Sequence, residues 1–172
     1  MRIENALILS AGLGTRKEEA GKKIPKVLWP IFDKTIIELQ ILYLQKRGIK
    51  NIFINTHHLA DKLVEFLKDR NVILMHEPVL LDVGGAVHQG AKKLNYVGDL
   101  LIINGDQFVV FEDNDLEILR EIDADVVLTS INVNSSDGYN AIEVVDKVMK
   151  GIIPNKELKK ETIVPTYSGI SL

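Results

Sequence analysis

Ala6-Leu7-Ile8-Leu9-Ser10-Ala11-Gly12-Leu13-Gly14-Thr15-Arg16 is the stretch on which the fold turns. Ala6 to Leu9 is a short, unbroken apolar run, the pattern of a strand buried on both faces. It stops in small residues and two glycines, which let the backbone turn tightly and approach a ligand closely. In a parallel α/β sheet, ligands collect beyond the carboxyl ends of the strands. A glycine loop at that point, followed by an arginine, suits a phosphate. Read alone, the same spacing also describes a plain tight turn. Two common phosphate loops are excluded. The dinucleotide fingerprint needs a third glycine where Lys17 stands, and the P-loop needs Gly-Lys-Ser/Thr where Gly14-Thr15-Arg16 stands.

Working outward, apolar runs alternate with helical periodicity. Ile36 to Lys46 places Ile36, Leu39, Leu42 and Tyr43 on one face, with Gly48 as a stop, and reads as a helix. Asn51 to Asn55 reads as a strand, Leu59 to Leu67 as a helix, and Val72 to Met75 as a third strand. Ala86 to Leu94 follows Gly84-Gly85 and reads as a helix starting on the glycine pair. Leu100 to Ile103 is a fourth strand running into Asn104-Gly105-Asp106. Leu116 to Ile122 is a short helix and Asp125 to Thr129 a further strand. This alternation indicates an α/β fold with a mainly parallel sheet. Beyond about Ser130 the pattern changes: Asn140 to Val145, Gly151 to Ile153 and Tyr167 to Leu172 read as strands without long helices between them. Asp33-Lys34 and Asp137-Gly138-Tyr139-Asn140 read as turns, and Trp29 beside Pro30 as packing.

Composition bounds the function. The 172 residues suffice for one well-buried core, and 46% apolar with 26% charged residues is the balance of a globular domain. No apolar run reaches the roughly 20 residues that span a bilayer. With no cysteine, disulfides, thiolate metal sites and thiol catalysis are excluded. These features suit a cytoplasmic protein. A net charge of −3 argues against general nucleic-acid binding. The charge is uneven: Met1 to Lys50 carry 10 Lys/Arg against 5 Asp/Glu, and the rest 11 against 19. A basic segment at the start of an acidic chain suits a small polyanionic ligand, or a solvated lysine-rich loop.

The glycine loop has a companion in Pro25-Lys26-Val27-Leu28. A glycine loop, an arginine and a lysine held beside a proline supply donors and positive charge for a triphosphate and for departing pyrophosphate. Asp106, a carboxylate just past a buried strand and after a glycine, is well placed for a hard cation; Asn-Gly-Asp is equally good turn chemistry. His57-His58 reads as a loop pair, not a metal pair, because adjacent side chains diverge and no carboxylate-rich partner accompanies them.

Ala11-Gly12-x-Gly14-Thr15-Arg16, followed at this interval by Pro25-Lys26, resembles the signature of the sugar-1-phosphate nucleotidyltransferases. The likeness continues through Asn55-Thr56-His57-His58-Leu59, Glu77 to Ala86, Asn104-Gly105-Asp106 and Tyr167-Ser168-Gly169-Ile170, covering nearly the whole chain in order. It implies a Rossmann-like three-layer sandwich with a mainly parallel mixed sheet. It also implies transfer of a nucleotidyl group from UTP, GTP or dTTP to a sugar 1-phosphate, with Mg2+ and release of pyrophosphate. By resemblance, Gly12, Gly14, Thr15 and Arg16 hold phosphates, Ala11 lies near base and ribose, and Lys26 contacts the reacting phosphates. Glu77 and the backbone of Gly84 and Gly85 face the nucleobase, Asp106 binds the metal, and Asn140 and Gly169 lie on the sugar side. Arg16, Lys26 and Asp106 form the expected catalytic set.

The resemblance further implies one nucleotidyltransferase domain, with residues 1–130 its nucleotide-binding part and residues 131–172 the start of its sugar-binding part. The family's second metal-binding aspartate falls downstream of the Ser-Gly-Ile strand, so a chain lacking its C-terminal portion is expected. The Glu-Lys-Pro element of longer members is missing between Gly151 and Thr166, which favours the compact N-acetylmuramate or mannose type. The rival reading is a non-catalytic nucleotide-binding module of the same fold. A nicotinamide-dependent oxidoreductase is disfavoured by Lys17 and by Pro25-Lys26.

Overall fold

A computed structural model describes residues 3–12, 23–112 and 114–172. The chain divides into two compact units, Met1–Asp125 with Leu172, and Val126–Ser171.

The first unit is built on four parallel strands: β1 (Asn5–Leu9), β4 (Asn51–Thr56), β5 (Ile73–His76) and β6 (Leu100–Asn104). They lie in the order β5-β4-β1-β6, with Leu9 beside Asn104, Ile8 beside Ile54, and Thr56 beside His76. Ala6, Leu7 and Ile8 are wholly buried, as an unbroken apolar run in a central strand requires. Because the four strands run the same way, their carboxyl ends gather at one edge.

Between them come the β2–β3 hairpin (Pro30–Ile31 and Lys34–Thr35) and helices α1 (Ile36–Lys46), α2 (Ala60–Leu67) and α3 (Asp82–Lys93). Helix α4 (Asp115–Glu121) follows β6. Helix α1 starts at a reciprocal cap: Glu38 N donates to Thr35 Oγ1 at 3.3 Å, and Thr35 N donates to Glu38 Oε2 at 2.8 Å. Its buried stripe is Ile37, Gln40, Ile41 and Leu44, not the face of Ile36, Leu39, Leu42 and Tyr43 expected from spacing, of which Leu42 is 49% exposed.

Helix α3 begins four residues before the expected start, so Gly84 and Gly85 lie inside its first turn. The reason is close packing: a Cβ on Gly85 would stand 2.4 Å from Leu81 Cβ. Gly85 therefore admits Leu81 against the helix, Gly84 has open space beside it, and the pair does not mark the helix start.

The second unit pairs β7 (Leu128–Asn134) antiparallel with β10 (Ile163–Ser171), beside the hairpin β8 (Ala141–Val145) and β9 (Val148–Ile153). Strand β7 runs to Asn134, beyond the expected Thr129, because its polar–apolar alternation is paired through Asn134–Ile163. Strand β10 likewise starts at Ile163 and β9 at Val148. Asp146 and Lys147, at φ 50° and 63°, form the two-residue hairpin turn. The fold is thus α/β with a mainly parallel mixed set of strands, as the alternation implied.

Candidate active site

One cavity opens at the carboxyl ends of the parallel strands. Its walls come from Leu9 at the end of β1 and Ser10, Ala11 and Gly12 after it, from Lys26 and Val27, and from Asn55 on β4. Glu77, Leu80, Asp82 and Val83 after β5, with Asn104 at the end of β6 and Asp106 after it, complete it. Lys26 stands on a 3₁₀ turn (Lys26–Leu28) whose start is set by Pro25. Its Nζ lies 3.4 Å from Asp106 Oδ2, across 80 residues of sequence. Both side chains are partly exposed, so the pair is worth no more than about 1 kcal/mol. A multiply charged ligand can displace it.

The turn bearing Asp106 is tightly constrained. Gly105 N donates to Leu9 O at 2.8 Å. A Cβ on Gly105 would meet Leu9 O at 2.5 Å and Val27 Cγ1 at 2.8 Å, so glycine is required by the close approach of β1.

A buried polar chain ties the other walls together. Ser10 N donates to Asn55 Oδ1 at 2.6 Å, and Ser10 Oγ donates to Asn55 O. Asn55 Nδ2 donates to Glu77 Oε1 at 2.9 Å, and Leu81 N donates to Glu77 Oε2 at 3.0 Å. Glu77 is wholly buried; its N donates to Thr56 O at 2.8 Å, and its own carbonyl lies 2.8 Å from His57 Nδ1. Both carboxylate oxygens thus hold neighbouring loops. The segment from Leu81 into Asp82 turns sharply, with Asp82 at φ 56°, a left-handed backbone that L-residues adopt at a cost.

Of the residues expected from sequence, Ala11, Gly12, Lys26, Glu77 and Asp106 line this one cavity. Gly84 and Gly85 lie in the first turn of α3, beyond the lining residues Asp82 and Val83. Gly14, Thr15 and Arg16 lie outside the described residues. In the second unit, Asn140 Oδ1 accepts from Asn155 N at 2.9 Å, and its carbonyl accepts from Thr166 Oγ1 at 2.8 Å. Gly169 sits at φ 87° where the β10 register shifts, a conformation that favours glycine. Sequence reasoning passed over Ser10, Asn55 as a side chain, and Asp82. The first two carried a usable signal: polar residues at the ends of otherwise apolar strands.

A model of the nucleotidyl transferase family matches residues 5–144. The chain belongs to that family. Among curated nucleotidyl transferase relatives, D-glycero-α-D-manno-heptose 1-phosphate guanylyltransferase of Campylobacter jejuni is 29% identical over 163 residues. That match takes in 92% of this chain and 72% of the relative. The bifunctional protein GlmU of Methanococcus maripaludis is 32% identical over 142 residues, 81% of this chain and 32% of that protein. Among solved structures, HddC from Yersinia pseudotuberculosis superposes with a TM-score of 0.76 at 23% identity, over 98% of this chain and 76% of that one. A second structure of HddC is complexed with GMP-PN. These superpositions establish the nucleotidyl transferase fold. No described helix is long and apolar enough to cross a membrane.

Proposed function

We propose that this chain transfers a nucleotidyl group from a nucleoside triphosphate to a sugar 1-phosphate, and that the cavity at the strand ends is where the triphosphate binds. One observation carries this reading: Lys26 and Asp106, distant in sequence, converge at 3.4 Å beside the Ala11-Gly12 backbone. Of UTP, GTP and dTTP, GTP is placed first, because the C. jejuni relative is named a guanylyltransferase.

The assigned roles follow the cavity. Ala11, Gly12, Leu80 and Val83 offer a small, largely apolar pocket for base and ribose. Glu77 holds the loop that forms its wall, and the backbone of Gly84 and Gly85, just beyond the lining, is assigned to the nucleobase. Gly14, Thr15 and Arg16 are assigned to the phosphates, Asn140 and Gly169 to the sugar. Lys26 exchanges Asp106 for phosphate oxygens. An oxygen of the sugar phosphate then attacks the α-phosphorus in line; that P–O bond forms as the bond to pyrophosphate breaks. Positioning and charge neutralisation supply the catalysis.

Asp106 fits a magnesium ion of the kind bound by one or two carboxylates together with substrate phosphates. It offers hard oxygens, half exposed, and only Oδ2 meets Lys26. No group of three or more His, Cys, Asp or Glu among the described residues forms a cage, so the Asp106 carboxylate would hold the ion with water completing its shell, and phosphate oxygens would replace water when nucleotide binds. Bound there, magnesium would neutralise charge on the α-phosphate and on pyrophosphate. The test is pyrophosphate release over a panel of triphosphates and sugar 1-phosphates with Mg2+. Turnover with one pair supports the reading. Nucleotide binding with no turnover for any pair would make the chain a binding module.

A further inference from the structure

Gln40 is a polar side chain where an apolar one is expected. It lies in the buried stripe of α1 between Ile37, Ile41 and Leu44, and is 3% exposed. Burying an amide there is unfavourable unless its groups are bonded, and its Oε1 accepts no hydrogen bond from the described residues. Core packing alone gives no reason for glutamine at this position, since methionine or leucine would fill the same volume without desolvating an amide.

What the side chain does is specific. Its Nε2 donates to Asn104 O at 2.9 Å and to Gln107 O. Both partners are carbonyls, which only accept, so the nitrogen must face them. Asn104 O also accepts from Gln107 N at 3.4 Å, closing a four-residue turn with Asp106 at its third position. Gln40 therefore clamps the two ends of the turn whose tip carries the Asp106 carboxylate. Further along the helix, Tyr43 OH donates to Phe111 O at 2.8 Å and accepts from Phe111 N at 2.5 Å. The segment after Asp106 is thus fastened to one face of α1.

We propose that Gln40 is a positioning residue for the metal-binding carboxylate: its two-pronged amide holds the Asn104–Gln107 turn so that Asp106 is presented to a divalent cation in a fixed orientation. The proposal rests on the metal role given to Asp106 above. It assigns to α1, none of whose residues lines the cavity, a share in metal affinity.

The test uses the full chain and Mn2+ alone as probe, read by paramagnetic broadening of backbone amide resonances around Asp106. Gln40→Met keeps the volume and removes both donors. Gln40→Asn keeps an amide one methylene too short to reach both carbonyls. Loss of such a supporting partner typically weakens metal binding about 10- to 100-fold. The broadening midpoint should therefore rise about tenfold in Gln40→Met, with Gln40→Asn between it and wild type. Measured well below the melting temperature, this midpoint is insensitive to a mere loss of global stability. Variants that melt cooperatively yet broaden at the wild-type midpoint overturn the proposal. Should neither variant fold, the wild-type side-chain amide resonances of Gln40 decide: a shift on titration with diamagnetic Mg2+ supports the clamp, and no shift overturns it. Asp106→Asn separates the two claims. If it broadens like wild type, the metal role of Asp106 fails and this proposal with it. If it loses broadening while the Gln40 variants keep theirs, only the clamp fails.

Discussion

Swapping the polarity of the buried chain at the strand ends gives the most demanding prediction. Both termini of that chain are backbone N–H groups, Ser10 N and Leu81 N, which can only donate. Ser10 N takes Asn55 Oδ1, so the Asn55 amide must turn its Nδ2 to residue 77. Residue 77 then faces two donors and has to supply two acceptors, which a carboxylate does and an amide does not. Glu77→Gln sets one N–H against another. Flipping Asn55 only moves the mismatch to Ser10. The cheapest relief is to release Leu81 N toward solvent, losing a hydrogen bond to a charged group, about 1.5–3 kcal/mol. For a chain of this size each kcal/mol lowers Tm by roughly 2–4 °C, so a fall of about 3–12 °C is expected. Asn55→Asp places two acceptors face to face and should be at least as harmful. The double variant Asn55→Asp with Glu77→Gln restores the count. The carboxylate now at position 55 accepts from Ser10 N and from the amide at position 77, whose oxygen accepts from Leu81 N. Thermal melts of the four proteins measure the cycle. The double variant should recover most of the loss, so the coupling approaches the sum of the two single losses, about 3 kcal/mol or more, at the upper end for directly bonded residues. Simple additivity of the two single losses would refute the assigned bond directions.

Other consequences are simpler. Gly105→Ala forces a Cβ into Leu9 O and Val27 Cγ1; it should cost about 1–3 kcal/mol in denaturant unfolding and reduce turnover by displacing Asp106. Asp106→Asn should lower kcat by about 100-fold or more, on the scale of losing a group that stabilises transition-state charge, with the melting temperature nearly unchanged; unaltered turnover would remove its assignment. Glu38 is held below the usual carboxylate range, first by the Thr35 backbone N–H and then by the Thr35 hydroxyl and the Arg70 guanidinium. A lowered folded-state pKa means the stabilisation is complete above the unfolded value of 4.5 and is lost as pH falls through the folded value. Glu38→Gln keeps a cap for Thr35 but loses the charge, so it should be less stable at pH 7 by up to about 1 kcal/mol. Melts in acid should show that difference shrinking below pH 4.5.

Much of this arrangement was legible from local pattern. The unbroken run Ala6–Leu9 announced a central strand because burial on both faces leaves no room for alternation. Helix α1 was bounded correctly by its run of apolar residues and by Gly48, but the face read from spacing, Ile36, Leu39, Leu42 and Tyr43, is not the one the fold buries. The parallel order then required the strand ends, and with them Gly12 and Asp106, to share an edge. Where local pattern misled, a partner elsewhere in the chain decided. The Gly84-Gly85 pair looked like a helix start, yet its helix begins earlier and Gly85 accommodates Leu81. Strand β7 reaches Asn134 because β10 pairs with it there.

Chain order alone determined that this protein is an α/β domain with a glycine loop after its first strand, a basic opening segment and a carboxylate after its fourth parallel strand. Periodicity and turn chemistry act over a few residues and are written in neighbouring side chains. Only the tertiary structure decided that Lys26 faces Asp106, that Glu77 is consumed by Asn55 and Leu81, and that Gln40 grips the turn carrying Asp106. Most of those contacts join residues that sequence separates by tens of positions. A hydrogen bond's direction depends on which donor meets which acceptor, and nothing local records that.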